Sequence, residues 1–190
     1  MKTILETHRR RTIRLREYDY RQAGAYFITA VAHGRGMLFG EIARGETRLN
    51  EFGKIVEEEW QKSSVIRREI ELEVFVIMPN HIHGIVNITD VDVGATGRSP
   101  LRSGPPARSL GAFVAGFKSA VTKRLNNLRH TPGAPVWQRN YYEHIVRDDG
   151  ELLRVREYIF NNPLDWETDR ENPSRPVNSK SARMMEPWQV

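Results

Sequence analysis

Alternation and helical periodicity set out the elements of this chain before any residue chemistry is considered. Tyr26-Phe27-Ile28-Thr29-Ala30-Val31, β-branched and aromatic behind Gly24, predicts a strand. Two short runs within residues 38–49 flank Arg44-Gly45 and predict a hairpin. Asn50 can then cap a helix that turns Phe52, Ile55, Val56 and Trp60 inward and Glu57, Glu58 and Glu59 outward. Residues 71–78 read as a mostly apolar strand, Pro79-Asn80 as punctuation, and residues 81–89 as the next strand. The clearest helix spans residues 109–129, where Leu110, Phe113, Val114, Phe117, Val121, Leu125 and Leu128 form one stripe. Residues 136–147 predict a further strand. Asp148 and Glu151 have capping-box spacing for a last helix that Pro163 stops.

That order is strand, helix, strand, strand, helix, strand, helix, with a hairpin inserted early. It predicts an α+β fold: a ferredoxin-like split βαββαβ antiparallel sheet, two helices on one face, and an additional C-terminal helix across the sheet. The expected organisation is a basic N-terminal arm (1–22), a central domain (23–166) and an extended Pro-containing tail (167–190) in which Trp188 can dock. Residues 90–108, rich in Gly, Ser, Pro and Arg without periodicity, read as a mobile loop inside the domain.

Composition narrows the function classes. With 190 residues, 39% hydrophobic and 28% charged, the chain is in the globular range. Zero cysteines exclude a disulfide scaffold, a thiolate zinc site and a thiol nucleophile. The lack of a long apolar run or a signal-peptide core predicts a cytoplasmic protein without a membrane partner. The net charge of +5 is unevenly spread. Between Val93 and Tyr142 there is no acid, while Arg98, Arg102, Arg108, Lys118, Lys123, Arg124, Arg129 and Arg139 contribute +8. Such polarity suits a polyanionic partner, because neutralised phosphates release counterions. A solvated basic flank is the plainer alternative.

Two places offer chemistry. In His81-Ile82-His83, residues two apart on a strand point to one face, so both imidazoles can converge on one ion while Ile82 points away. The triplet alone does not choose between ligands and hydrogen-bonded core histidines. On the last helix, Tyr158 and Asn162 lie four apart, and Arg154 and Glu151 continue their line. Tyr158 falls at the margin of the apolar stripe, either as a core residue with its hydroxyl at the edge or as a positioned nucleophile. The Asn162 amide oxygen is a hard donor that suits Mg²⁺ or Mn²⁺.

Residues 78–84 (Met-Pro-Asn-His-Ile-His-Gly), 136–144 (Val-Trp-Gln-Arg-Asn-Tyr-Tyr-Glu-His) and 157–163 (Glu-Tyr-Ile-Phe-Asn-Asn-Pro) together resemble the motifs of the REP-associated tyrosine transposases. Those belong to the HUH single-tyrosine transposase superfamily, DNA nucleases of small bacterial insertion sequences. The likeness covers roughly residues 24–163. It implies the ferredoxin-like fold, His81 and His83 as the metal-binding pair, Tyr158 as nucleophile, and Asn162 in the place where related transposases carry a glutamine ligand. It implies hairpin DNA with a flanking single strand as substrate, and a monomer or homodimer. The tail beyond Pro163 and the long loop depart from the family pattern.

The implied chemistry is sound. A phenol of pKa about 10 is a weak nucleophile near neutrality. A divalent ion at His81, His83 and Asn162 would polarise the scissile phosphate, and Arg154 would steady the developing charge. Attack by Tyr158 leaves a 5′-phosphotyrosine and a free 3′-hydroxyl, so a second 3′-hydroxyl can reverse the step and join strands. Tyr142 or Tyr141, whichever points away from the core, can stack on a base, and His144 reads as a packed histidine. The cations of residues 98–139 are expected to grip the DNA backbone, those on the long helix from beside the site. The expected function is thus a metal-dependent single-strand DNA endonuclease and strand transferase. The alternatives are a hairpin-binding protein on the same fold that no longer cleaves and, less well supported, an RNA-binding module without the aromatic strand pattern such sheets carry.

Overall fold

A computed structural model of the chain describes residues 18–90 and 108–175. The arm before residue 18, most of the 90–108 loop with Arg98 and Arg102, and the tail beyond residue 175 with Trp188 lie outside the described residues.

Strand β1 (Gly24–Val31) forms where the aromatic run predicts it. The hairpin follows as β2 (Gly40–Ala43) and β3 (Glu46–Leu49). Its turn places Arg44 at φ 56° and Gly45 at φ 76°, the pair of left-handed residues that a two-residue hairpin turn demands. Helix α1 (Glu51–Ile66) starts where the Asn50 side chain accepts from the Phe52 and Gly53 amides. Strands β4 (Ile70–Ile77) and β5 (His81–Ile88) are joined by the Pro79-Asn80 turn. Helix α2 (Leu110–Leu128), capped by Ser109, buries its predicted stripe except Leu128, which is 46% exposed at its last turn. Strand β6 (Tyr142–Val146) and helix α3 (Asp149–Asn161) complete the domain.

The sheet order is β4-β5-β1-β6 with every neighbouring pair antiparallel. Strands β1 and β4, joined through α1, are split by β5, which is the ferredoxin-like arrangement expected from the element order. Strand parity then decides what each face carries. Tyr26, Ile28, Ala30, Ile82 and Val86 face one way into a core with Trp60 of α1 and Phe113, Phe117 and Val121 of α2. Phe27 and Ile85 face the other way and pack on Val155 and Ile159 of α3. Helix α3 is also tied to β4 by an Arg156–Glu73 ion pair.

Two expectations need correction. The strand predicted over 136–147 begins only at Tyr142. Before it, the Lys118 ammonium takes the carbonyls of Gln138 and Asn140, and Trp137 makes a single isolated bridge to Ala32. Those carbonyls are thereby lost to a regular ladder. The chain after residue 166 is also not extended as far as residue 175. A 3₁₀ turn (Trp166–Thr168) folds it back, and Asp169, Glu171 and Asn172 are buried.

Candidate functional site

Strand β5 carries His81 and His83 on its α3 face, with Ile82 in the opposite core, as the alternation requires. The imidazoles meet edge to face, with centroids 4.5 Å apart and Nε2 atoms 3.0 Å apart. Neighbours fix both rings from behind. The Asn80 amide nitrogen donates to the carbonyls of Arg35 (3.2 Å) and Glu171 (2.7 Å), so its oxygen faces His81 and accepts from Nδ1–H at 2.8 Å. That leaves a lone pair on His81 Nε2. His83 Nε2–H then donates to it across the 3.0 Å contact, and on β1 the Thr29 hydroxyl donates to His83 Nδ1 at 2.8 Å. A shift of that ring proton to Nδ1, with Thr29 accepting, would free His83 Nε2 for a metal. This is how a protein orients imidazole ligands, and it uses residues that sequence patterning gives no reason to select.

Burial controls protonation. His81 is 0% and His83 3% exposed. Burial pushes His81 down to about 4, only partly opposed by the Glu171 carboxylate and the Asn162 amide. His83 is held well below the ordinary histidine range by burial, then by His81 and Arg170. Both rings are neutral near pH 7, the form that binds metals.

From α3, Tyr158 sets its ring 5.2 Å from that of His83 and edge-on to Phe27 at 5.9 Å. It is partly exposed, at the margin of the second core as expected. Asn162 caps the same helix, fully buried, beside His81 and Asp169. Its amide makes only loose approaches to the His81 ring and the Asp169 carboxylate, neither with the geometry of a good hydrogen bond. A buried carboxamide so loosely satisfied costs stability, and its oxygen could turn to complete the coordination of an ion at the histidines.

Sequence reasoning missed Asp169. The turn after α3 brings its carboxylate to the histidines, and one ligand atom from each of His81, His83 and Asp169 lies within 4.8 Å of the others. Burial raises the Asp169 pKa, opposed by bonds from the Glu171 backbone and the Asn162 side chain. Two imidazoles, a carboxylate and an adjacent amide oxygen form an N/O donor set suited to Mg²⁺ or Mn²⁺. The turn also roofs the site. Trp166 stands 6.1 Å from the His81 ring, and Arg35 pairs with Glu171 at 2.9 Å.

The other expected residues divide. Arg154 is exposed one turn before Tyr158, and Tyr142 sits edge-on to Phe27 at 6.3 Å on the site face, whereas Tyr141 joins the opposite core. His144 is a packed histidine, 2.8 Å from the buried Glu151 carboxylate, which also accepts from the Arg147 amide. Lys118, Lys123, Arg124 and Arg129 are not beside the site: α2 packs on the other face of the sheet. Arg124 pairs there with Glu58 and Glu59 of α1 at 2.6 and 2.8 Å, and Arg129 bonds Asn126. Arg108 and Arg139 are exposed.

No family model matches the chain. A Haemophilus influenzae protein without an assigned function is 38% identical over 169 residues, spanning 86% of this chain and 93% of its own. A second protein from that organism, described as a "Putative REP-associated tyrosine transposase", is 24% identical across 77% of this chain and 73% of its own. Among solved structures, a REP-associated tyrosine transposase bound to a REP hairpin shares the fold. Its TM-score is 0.56 at 18% identity, covering 80% of this chain and 73% of that one. The chain is therefore of one family with its 38%-identical relative, and its motifs, its weaker curated match and the fold it shares with the hairpin-bound structure all carry a resemblance to the REP-associated tyrosine transposases.

Proposed function

We propose that this protein nicks and joins single-stranded DNA beside a hairpin, with Tyr158 as nucleophile and a divalent ion at the histidine pair. The observation that carries this reading is the convergence of His81, His83 and Asp169, with the Tyr158 ring against His83. The hairpin in the structural relative supports the substrate class.

His81, His83 and Asp169 would hold the ion with the Asn162 oxygen beside them, and the ion would supply charge to polarise a phosphodiester. The Tyr158 phenolic oxygen attacks phosphorus in line. An O–P bond to tyrosine forms as the P–O3′ bond breaks, the phenolic proton passes to water, and the leaving 3′ oxygen takes one up. The phosphotyrosine stores the phosphodiester bond energy, so a strand's 3′-hydroxyl reverses the step. With the ion in place Asn80 and Thr29 would each accept an Nδ1 proton and so hold both Nε2 lone pairs forward, and Arg154 steadies the phosphate.

The test is a labelled hairpin oligonucleotide with a single-stranded flank, incubated with Mn²⁺. A denaturant-resistant protein–DNA adduct is expected from the wild type and not from Tyr158→Phe. Burial of both histidines beneath Trp166 favours a second reading, a hairpin binder that does not cleave. Tight hairpin binding with no adduct under any divalent ion would select it.

A further inference from the structure

On the sheet face away from the histidines, a groove of about 590 Å³ runs between α2 and residues 132–139. Lys123 and Arg139 are exposed along it and Lys118 is half-buried, Asn126, Asn127 and Gln138 add amides, and Pro132, Ala134, Pro135 and Trp137 form an apolar wall; no carboxylate lines it. The walls are built rather than accidental. Asn126 Nδ2 donates to the Ala134 carbonyl at 2.9 Å, and Arg129 bonds Asn126 Oδ1 at 2.7 Å. Lys118 Nζ clamps Gln138 O at 2.5 Å and Asn140 O at 3.3 Å. His130 and Gly133 bend the loop through left-handed conformations, at φ 54° and 80°. The groove lies within the stretch that holds no acid from Val93 to Tyr142, and its wall leads directly into Tyr142, on the histidine face beside Phe27.

A cation-rimmed channel with no carboxylate in its lining fits a phosphodiester backbone, because Lys and Arg neutralise phosphates and the exposed Asn127 amide can donate to their oxygens. We propose that this groove is a phosphate-binding track for DNA, separate from the histidine site, that grips the nucleic acid without reading its sequence. It rests on the DNA-acting reading and deepens it by assigning the grip to one surface. Of the cations expected to hold DNA, Lys123 and Arg139 carry it here. Arg124 is committed to the α1 carboxylates.

The experiment measures affinity for a fluorescein-labelled hairpin with a 12-base-pair stem and a single-stranded flank, from 50 to 200 mM salt. Three proteins are compared: wild type, Lys123→Ala/Arg139→Ala, and a control of equal charge loss, Lys54→Ala/Arg68→Ala, whose positions are exposed and outside the groove. All substituted side chains are on the surface, and circular dichroism verifies folding. The groove variant is expected to bind more weakly, with a salt slope shallower by about two, one for each phosphate left without its cation. The ratio of wild-type to variant affinity then shrinks about tenfold across that salt range. The control is expected to keep the wild-type slope. A groove variant with the wild-type slope overturns the track while leaving the DNA-acting reading intact. A wild type that binds no DNA at 50 mM salt overturns both.

Discussion

Gly84 ends the His-x-His-Gly run and has no side chain for a structural reason. It follows His83 on β5 and faces the α1–α2 core. A Cβ there would lie 2.6 and 2.7 Å from two indole carbons of Trp60 and 3.2 Å from Phe75 Cβ. Trp60 has nowhere to retreat: it is 1% exposed, stacked on Phe75 at 5.5 Å and edge-on to Phe113 and Phe117 at 5.6 and 5.4 Å. Gly84→Ala therefore overpacks the core, at a cost of about 1–3 kcal/mol. For a domain of this size, each kcal/mol is about 2–4 °C of melting temperature, so a fall of roughly 2–12 °C is expected. Gly116 supplies the contrast, since a Cβ on that exposed position of α2 meets nothing within 4 Å. Gly116→Ala should raise stability by about 0.5–1 kcal/mol. Thermal and urea unfolding followed by circular dichroism give both numbers. A Gly84→Ala protein that melts with the wild type would refute the claim that Trp60 seats the histidine strand.

The buried imidazoles also predict an acid sensitivity. An unfolded histidine titrates near 6.5, whereas folded His81 is held at about 4 and His83 shifts the same way. Between those values only the unfolded chain takes up protons, so stability that is full above pH 6.5 drains as pH falls toward 4. At pH 5 the His81 contribution alone amounts to about 2 kcal/mol. Urea unfolding at pH 8 and pH 5 should show that loss, reduced in His81→Asn; equal pH dependence in both proteins would contradict it. Asp169→Asn keeps the shape and removes the anionic ligand, so calorimetry should find Mn²⁺ affinity weakened by at least about tenfold. Unchanged affinity would put Asp169 outside the coordination sphere.

Much of the scaffold is legible in the residue pattern because it obeys periodicities. A spacing of two places His81 and His83 on one face, and the stripe of α2 and the caps at Asn50, Ser109 and Asp148 mark the helices. The placement of α2 away from the histidines was also encoded. Its apolar stripe must meet the apolar partners Ile82 and Val86, which alternate with the histidines, so the helix belongs on the far face. Reading its cations as neighbours of the site overlooked that parity. Asp169 is a different case. Residues 164–175 have no period or motif, and their burial comes from individual bonds: Asn80 to the Glu171 carbonyl, Asn172 to the Trp166 carbonyl, and Arg35 to Glu171. The first and last of these join distant parts of the chain, and none of the three leaves a periodic trace. The late start of β6 has a similar origin, since it depends on Lys118 reaching the Gln138 and Asn140 carbonyls from another element.

Whether the α3 face of β5 is a metal site decides the chemistry, and electron paramagnetic resonance of bound Mn²⁺ addresses that most directly. One Mn²⁺ per chain is predicted, with spin-echo modulation from two imidazole nitrogens that disappears in His81→Ala/His83→Ala and persists in Tyr158→Phe. A protein that binds no Mn²⁺, or whose bound Mn²⁺ shows no nitrogen coupling, would contradict it.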